Sequence, residues 1–311
     1  MTASAISGTH TLDARILEEL RIDGRIGRNE LAAKLGASRP TISKRLNTLF
    51  TSGRAQVVGI VHPSTIGLEA LAHVSISVDQ PVRQVAGRVA ALPDIPYVSL
   101  TSGRYPLVAE IRTQGPPQLA ATLDQIRSID GVRDTNTLFY SDLIIDVGRP
   151  ERASAASIDA LDNRLLEVLQ EDGRASYATL AAAAGTSPGT ARLRVKRLID
   201  EHIVRVAALS GAGHGDTEYA VGFGVRASGR TAGLAPLLAE LSGLRFLAAT
   251  IGRFDLVGTV HAAALADVVA ALDTLRALRP VLEVDSWVHL VTVKERYSNV
   301  PPLPTVRPEE L

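Results

Sequence analysis

Leu12-Asp-Ala-Arg-Ile-Leu-Glu-Glu-Leu20 and Leu161-Asp-Asn-Arg-Leu-Leu-Glu-Val-Leu169 are one phrase written twice. Other markers follow at the same spacing. Asp23-Gly24-Arg25 returns as Asp172-Gly173-Arg174, and Leu31-Ala32-Ala33 as Leu180-Ala181-Ala182. Gly36 matches Gly185, Ser38 matches Ser187, Arg45 matches Arg194 and Leu49 matches Leu198. Much further on, Gly103-Arg104-Tyr105 matches Gly252-Arg253-Phe254, and Leu107-Val108 matches Leu256-Val257. One offset of 149 residues relates every pair, so the chain is a duplication without net insertion between these markers. That period is one domain pair, not a solenoid repeat of roughly 20–50 residues.

Each copy begins with a helical part. Leu12, Ile16, Leu17 and Leu20 share one helix face, as do Leu161, Leu165, Leu166 and Leu169. A short second stripe (Leu31, Ala32, Leu35) ends at Gly36, in the place of a helix-terminating glycine. Ser38 then caps a third helix with Pro40 in its first turn, and Ile42, Leu46 and Leu49 form its apolar face. Copy two repeats this with Leu180, Ala181, Ala184, Gly185, Ser187, Ala191, Val195 and Leu198. Helix, short helix, glycine turn, helix is the helix-turn-helix pattern.

Each copy continues with alternating strands and helices. Ala72–Val78 alternates as a half-buried strand, and a helix runs from Pro81 to about Leu92. Tyr97–Thr101 and Leu107–Ile111 read as strands joined by a turn at Gly103, followed by a helix over Leu119–Ile129 and a strand within Val132–Val147. Copy two gives Ala220–Val225, Leu234–Leu241, Phe246–Thr250, Leu256–Val260, Leu265–Leu278 and Val281–Val293. The order βαββαβ is ferredoxin-like. The expected fold is α+β: two tandem copies of a winged or plain helix-turn-helix module, each followed by a ferredoxin-like domain. The boundaries read as 1–60, 61–149, 150–209 and 210–297, with a proline-containing tail over 298–311 expected to be disordered. Arg149–Ser157 is polar and Ala/Ser-rich, as a linker would be.

Composition narrows the function. The 311 residues carry 33 Lys+Arg and 33 Asp+Glu, so any nucleic-acid surface must be a local patch. Cysteine is absent, which excludes disulfides, thiol catalysis and Cys-based zinc sites. No run of about 18 apolar residues predicts a membrane span, and the N-terminus lacks the features of a secretory signal, so a cytoplasmic protein is expected. The seven histidines include no i,i+3 or i,i+4 pair, and no HExxH, GxSxG or phosphate-binding loop occurs. No metal or cofactor is expected. The glycine run Ser210–Gly215 lacks the strand-then-helix context of a dinucleotide site and reads as a hinge.

The third helices carry the DNA chemistry. In copy one the outward face offers Arg39, Thr41, Ser43, Lys44, Asn47 and Thr48; in copy two it offers Thr190, Arg192, Arg194, Lys196 and Arg197. None is acidic, which suits phosphates and acceptor-rich base edges. Ser38 and Ser187 are helix caps whose helix N-termini could also hold a phosphate. Arg45 and Arg194 lie one turn from the apolar stripe and could pack on their own domain instead.

The pattern Leu12-Asp13, Ile16-Leu17, Leu20, Asp23-Gly24-Arg25, Leu31-Ala32, Gly36-Ala37-Ser38, Arg45-Leu46 and Leu49 resembles the N-terminal module of the Lrp/AsnC, or feast/famine, regulators. The following βαββαβ part resembles their effector and oligomerisation (RAM, ACT-like) domain. The usual member has one copy, so this chain resembles a covalent pseudo-dimer. The resemblance implies double-stranded DNA and an amino acid-like effector as partners, with self-association through the ferredoxin-like domains. It places effector candidates at the turn motif: Gly103, Arg104 and Tyr105, and Gly252, Arg253, Phe254 and Asp255. Arg253 could pair a carboxylate and Asp255 an ammonium group; copy one has Pro106 in place of that aspartate. A second resemblance stays open. Siroheme decarboxylases share this two-copy plan, and His261 stands about where those enzymes carry a histidine, though without the aromatic-Arg-Arg stretch and Trp that usually accompany it.

Overall fold

The computed structural model describes residues 12–146, 157–210, 218–229 and 233–297. The expected linker (except Ser157), glycine hinge (beyond Ser210) and tail lie outside the described residues.

Copy one opens with α1 (Leu12–Ile22), α2 (Arg28–Leu35) and α3 (Arg39–Thr51). Gly36 adopts φ 64° and ends α2, the left-handed conformation that glycine takes without steric cost. Ile16, Leu20, Leu31, Ile42, Leu46 and Leu49 close a dedicated core. Copy two repeats the unit as α6 (Ala160–Glu171), α7 (Tyr177–Ala184) and α8 (Pro188–Asp200), with Gly185 at φ 69°. Between helices and sheets stand two strands that periodicity alone did not reveal, β1 (Ala55–Val61) and β6 (Val204–Ser210). They pair only with each other, antiparallel. Val58 and Ala207 are both register partners and counterparts in the duplication, so a pseudo-two-fold axis passes between them.

This ribbon is where the two helical units meet. The Gly24 N–H donates to the Val206 carbonyl and the Gly173 N–H to the Val57 carbonyl, each at 2.8 Å. Arg25 reaches across to the carbonyls of Gly173 (2.7 Å) and Ala175 (3.0 Å). Arg174 returns the contact to Gly24 (2.5 Å) and Ile26 (3.2 Å). A β-carbon at Gly24 would lie 2.7 Å from Val57, and one at Gly173 2.7 Å from Val206, so only glycine allows this approach. The repeated Asp-Gly-Arg triplet is therefore a reciprocal clasp.

The expected ferredoxin-like units form, but not as two open sheets. Copy one supplies β2 (Ala70–Val78), α4 (Val82–Ala90), β3 (Tyr97–Thr101), β4 (Leu107–Thr113), α5 (Pro116–Arg127) and β5 (Val132–Ile145). Copy two supplies β7 (Tyr219–Ala227), α9 (Ala235–Ala239), β8 (Leu244–Ile251), β9 (Leu256–Ala262), α10 (Leu265–Ala277) and β10 (Val281–Glu295). β5 pairs with β8 and β10 with β3, which closes the order β10-β3-β4-β2-β5-β8-β9-β7 into a barrel. Both seams join one copy to the other, so closure removes the edges of this sheet. Alternation decides the faces: Ala70, Ala72, Val74 and Ile76 of β2 pack outward with α4 and α5, while Leu71 joins Leu138, Tyr140, Phe254 and Val257 on the inner face.

Gly173→Ala is expected to lower the free energy of unfolding by about 1–3 kcal/mol, because the added methyl meets backbone and a packed valine. Gly87→Ala in α4, with open space at the added carbon, is expected to raise it by about 0.5–1 kcal/mol. Urea denaturation of the two variants separates these outcomes.

Candidate nucleic-acid interface and ligand chamber

On α3 the Ser38 hydroxyl accepts the Thr41 N–H at 3.3 Å, so the cap forms. Arg39, Thr41, Lys44 and Asn47 are exposed and Ser43 is half-buried. Arg45 lies 3.6 Å from Asp13 of α1. On α8 Ser187 caps Thr190 at 3.1 Å. Arg192 and Lys196 are exposed and Thr190 is half-buried. Arg194 and Arg197 have a different occupation. Both contact Asp162 of α6, at 3.2 and 2.5 Å, and the Asp162 side chain is only 1% exposed. Two guanidiniums thus neutralise one buried carboxylate, which an unpaired site could not accommodate. Arg197 is half-buried and also lies 3.5 Å from Glu201. The counterpart of Lys44 is Leu193, which is 73% exposed amid these basic residues. The two helices therefore present unlike faces.

The turn residues are structural in large part. Gly103 (φ 93°) and Gly252 (φ 149°) take conformations that favour glycine, and a β-carbon at Gly252 would meet Leu138 of β5 at 2.8 Å. The hydroxyls of Thr101 and Thr250 donate to the carbonyls of Tyr105 and Phe254, each at 2.6 Å. The Asp255 carboxylate accepts the Ala227 N–H at 2.8 Å, and Arg253 pairs with Asp285 and lies over the Phe254 ring. Phe254 is buried in the barrel, whereas Arg104 is exposed and lies over Tyr105. Arg253 and Asp255, expected to meet a carboxylate and an ammonium group, thus already have partners within the chain.

Inside the barrel mouth, beneath the β1–β6 ribbon, is a chamber of about 400 Å³. The inner faces of β2, β3, β9 and β10 bring His73, Tyr97, His261, Trp287 and His289 to its wall. Tyr97 Oη and His289 Nδ1 are 3.1 Å apart, and the Trp287 ring lies 5.7 Å from His73 and 6.5 Å from His289. Trp287 fits because its register partner is Gly222, where a β-carbon would fall 2.2 Å from the indole nitrogen. Near His261, α1 contributes Arg21, β8 contributes Arg245 and β6 contributes Arg205. Arg21 and Arg245 share Glu218, at 3.2 and 3.7 Å, and both lie 3.3 Å from Glu18. Burial lowers His73 to about 4 and both His261 and His289 to about 3; Arg245 and Arg21 push His261 further down. All three are neutral at pH 7; His73 Nε2 lies 3.1 Å from Ser75 Oγ and His289 Nδ1 meets Tyr97. Among the described residues no cluster of His, Asp and Glu could hold a metal ion.

The chamber and the clasp escaped sequence reasoning. A trace existed: His73 alternates with Ala72 and Val74, and Trp287 is the chain's one tryptophan. Neither signal says that strands from the two copies enclose one space.

Comparison with known proteins follows the same division. Residues 11–49 and 158–199 match the family model of the AsnC-type helix-turn-helix domain, and residues 69–148 that of the Lrp/AsnC ligand binding domain. The HTH-type transcriptional regulator FL11 of Pyrococcus furiosus is 33% identical over 129 residues, which cover 41% of this chain and 85% of that protein. FL11 of Pyrococcus horikoshii matches with the same identity and coverage. Among solved structures, the siroheme decarboxylase NirDL in complex with an iron-uroporphyrin III analogue superposes with a TM-score of 0.57 at 14% identity, over 93% of this chain and 95% of that one. At that identity the likeness establishes a shared fold.

Chamber histidines make stability pH-dependent with a defined sign. Below pH 6.5 the unfolded chain binds protons that the buried imidazoles refuse, so stability is intact above 6.5 and falls as pH drops toward 4. The urea midpoint is expected to decline over that window, and less steeply in His73→Gln, which cannot titrate. An equal slope in the variant would contradict a neutral His73.

Proposed function

The chain belongs to the Lrp/AsnC family of helix-turn-helix regulators, and on that premise we propose that one polypeptide supplies both DNA-reading units of an effector-responsive regulator. The observation that carries this reading is the reciprocal clasp of Arg25 and Arg174, which sets the two units on one ribbon. α3 reads DNA with Arg39, Thr41, Ser43, Lys44 and Asn47, and the Ser38 end of the helix meets a phosphate. α8 uses Thr190, Arg192 and Lys196 with Ser187 at the same end, while Arg197 holds the helix on α6 and lends its charge to the surface. Leu193 adds an apolar contact of the kind that meets a thymine methyl. Half-sites one helical turn apart, or a multiple of it, suit two units on one ribbon. Because Lys44 and Asn47 correspond to Leu193 and Lys196, the half-sites are unlike and the operator is not a palindrome.

The barrel senses a small molecule of amino acid-like chemistry, and the protein works in the cytoplasm without catalysing a reaction. No helix among the described residues is long and apolar enough to cross a membrane. Association between chains would use the outer faces of the ferredoxin-like units, since their edges already pair within the chain.

A tetrapyrrole enzyme is the second reading, favoured by the fold shared with NirDL and by His261 in the chamber wall. It requires the Soret band of an added iron tetrapyrrole to shift saturably when the purified protein is titrated in; the regulator reading expects no shift.

Arg39→Ala and Lys44→Ala are each expected to weaken binding to a protected promoter fragment and to reduce the salt dependence by about one unit of slope. Titration of labelled DNA over a range of salt concentrations measures both. Unchanged affinity and slope in both variants would remove α3 from the interface.

A further inference from the structure

The duplication predicts two equivalent ligand sites, but the barrel interior is not symmetric. Under the 149-residue offset Arg112 is the counterpart of His261, Glu110 of Thr259, Asp146 of Glu295 and Leu138 of Trp287. At the copy-one end Arg112 and Leu138 are buried and line no part of the chamber, Glu110 reaches its wall, and Asp146 faces a separate cavity of about 520 Å³ beside His62. Arg112, 5% exposed, donates to both oxygens of Asp146 at 2.8 Å, pairs with Glu110, and stacks under Tyr297 with 4.5 Å to the ring centroid. Burial opposes the Arg112 charge, but Asp146 and Glu110 outweigh it and hold the guanidinium protonated. At the copy-two end the corresponding volume opens into the chamber, with His261, Arg245, Arg21 and Glu218 around it.

We infer that the chamber is a single ligand site per chain, specific for a small aromatic carboxylate, and that its occupation is transmitted to the first helix-turn-helix unit through α1. The inference rests on the regulator reading for its last clause only. Three observations support it. The inner wall is aromatic: Trp287, Tyr97, His73 and His289 surround a space the size of a small-molecule pocket. Their imidazoles are neutral, so the wall stacks on a ring without demanding charge from it. The charged groups on the chamber wall are Arg21, Arg205 and Arg245 with Glu110, Glu218 and Glu295; Glu110 is taken up by Arg112, and the guanidiniums gather at the His261 end, where a ligand carboxylate meets them. The route to DNA is built from the same groups. Arg21 and Glu18 belong to α1, Arg245 and Glu218 to the barrel, and Arg205 of the ribbon donates to the Arg21 carbonyl at 2.9 Å. A carboxylate drawn to Arg245 competes with Glu18 and so alters how α1 is held. Gln170 and Pro96, the counterparts of Arg21 and Arg245, provide no matching ion pair, and the coupling is confined to one unit.

Trp287 is the chain's single tryptophan, so its emission reports on this wall alone. The full chain would be titrated with phenylalanine, 4-hydroxyphenylpyruvate and benzoate, with leucine and toluene as arms lacking the ring or the carboxylate. The expected result is a saturable emission change with the aromatic acids only. Calorimetry is expected to give one site per chain, and Arg245→Met to weaken binding roughly tenfold or more through loss of a charge-assisted hydrogen bond. Calorimetry on the unaltered protein does not depend on the variant folding. Two sites per chain, equal binding of leucine, or loss of binding in Arg253→Ala with retention in Arg245→Met would each overturn the inference by placing the ligand elsewhere. A saturable change with an iron tetrapyrrole and none with the aromatic acids would also overturn it. Ligand binding at one per chain by a protein that fails to bind DNA would uphold the chamber and sink the regulator reading.

Discussion

Two backbone amides and two arginines hold this molecule's halves together. Gly24 and Gly173 come close enough to donate into the opposite strand of the ribbon, and Arg25 and Arg174 then reach the carbonyls that the opposite turn leaves available. Each contact is a buried or half-buried hydrogen bond to a main-chain group, and such groups are costly when left unpaired. The clasp therefore specifies one arrangement of the helical units. Below it, the barrel seams β5–β8 and β10–β3 do the same for the sheets. The two ferredoxin-like units are fixed against each other by pairing the barrel's edges inside one chain.

Covalent duplication frees the halves to diverge. A homodimer must carry the same residue at both ends of its two-fold axis. Here one end of the barrel has a buried Arg112–Asp146 pair and the other an open wall with His261. The recognition helices have diverged likewise, from Lys44 to Leu193 and from Asn47 to Lys196. The fold is symmetric because the cores keep their apolar pattern even where residues differ, as Ile42 to Ala191 and Leu46 to Val195; the surface and barrel-interior positions changed in charge and polarity as well.

The helices and most strands were legible in the sequence, because burial on one face imposes a period that the chain must display. Ile16, Leu20, Ile42, Leu46 and Leu49 show it, and so do Ala72, Val74 and Ile76. The duplication was legible too, since a constant offset needs no structure. β1 and β6 were not. Six of seven residues in β1 are buried, because ribbon and helical units cover both faces, so the alternation that marks a half-exposed strand is missing. The intramolecular partners of Arg253 and Asp255 were not legible either: charge and spacing suit an amino acid, and only the structure sets Asp285 and the Ala227 N–H against them.

What the amino-acid sequence determined by itself was local and repetitive: two helix-turn-helix units, two βαββαβ units, and a basic third helix in each. Those depend on neighbours within a few turns of the chain. Tertiary structure alone decided which surfaces remain available. Arg197 turned inward because Asp162 is buried beside it, and His73 joined Trp287 because barrel closure brings β2 and β10 to one wall. The availability of a charge or a ring depends on what lies opposite it, and in this chain the opposing group is often more than a hundred residues away.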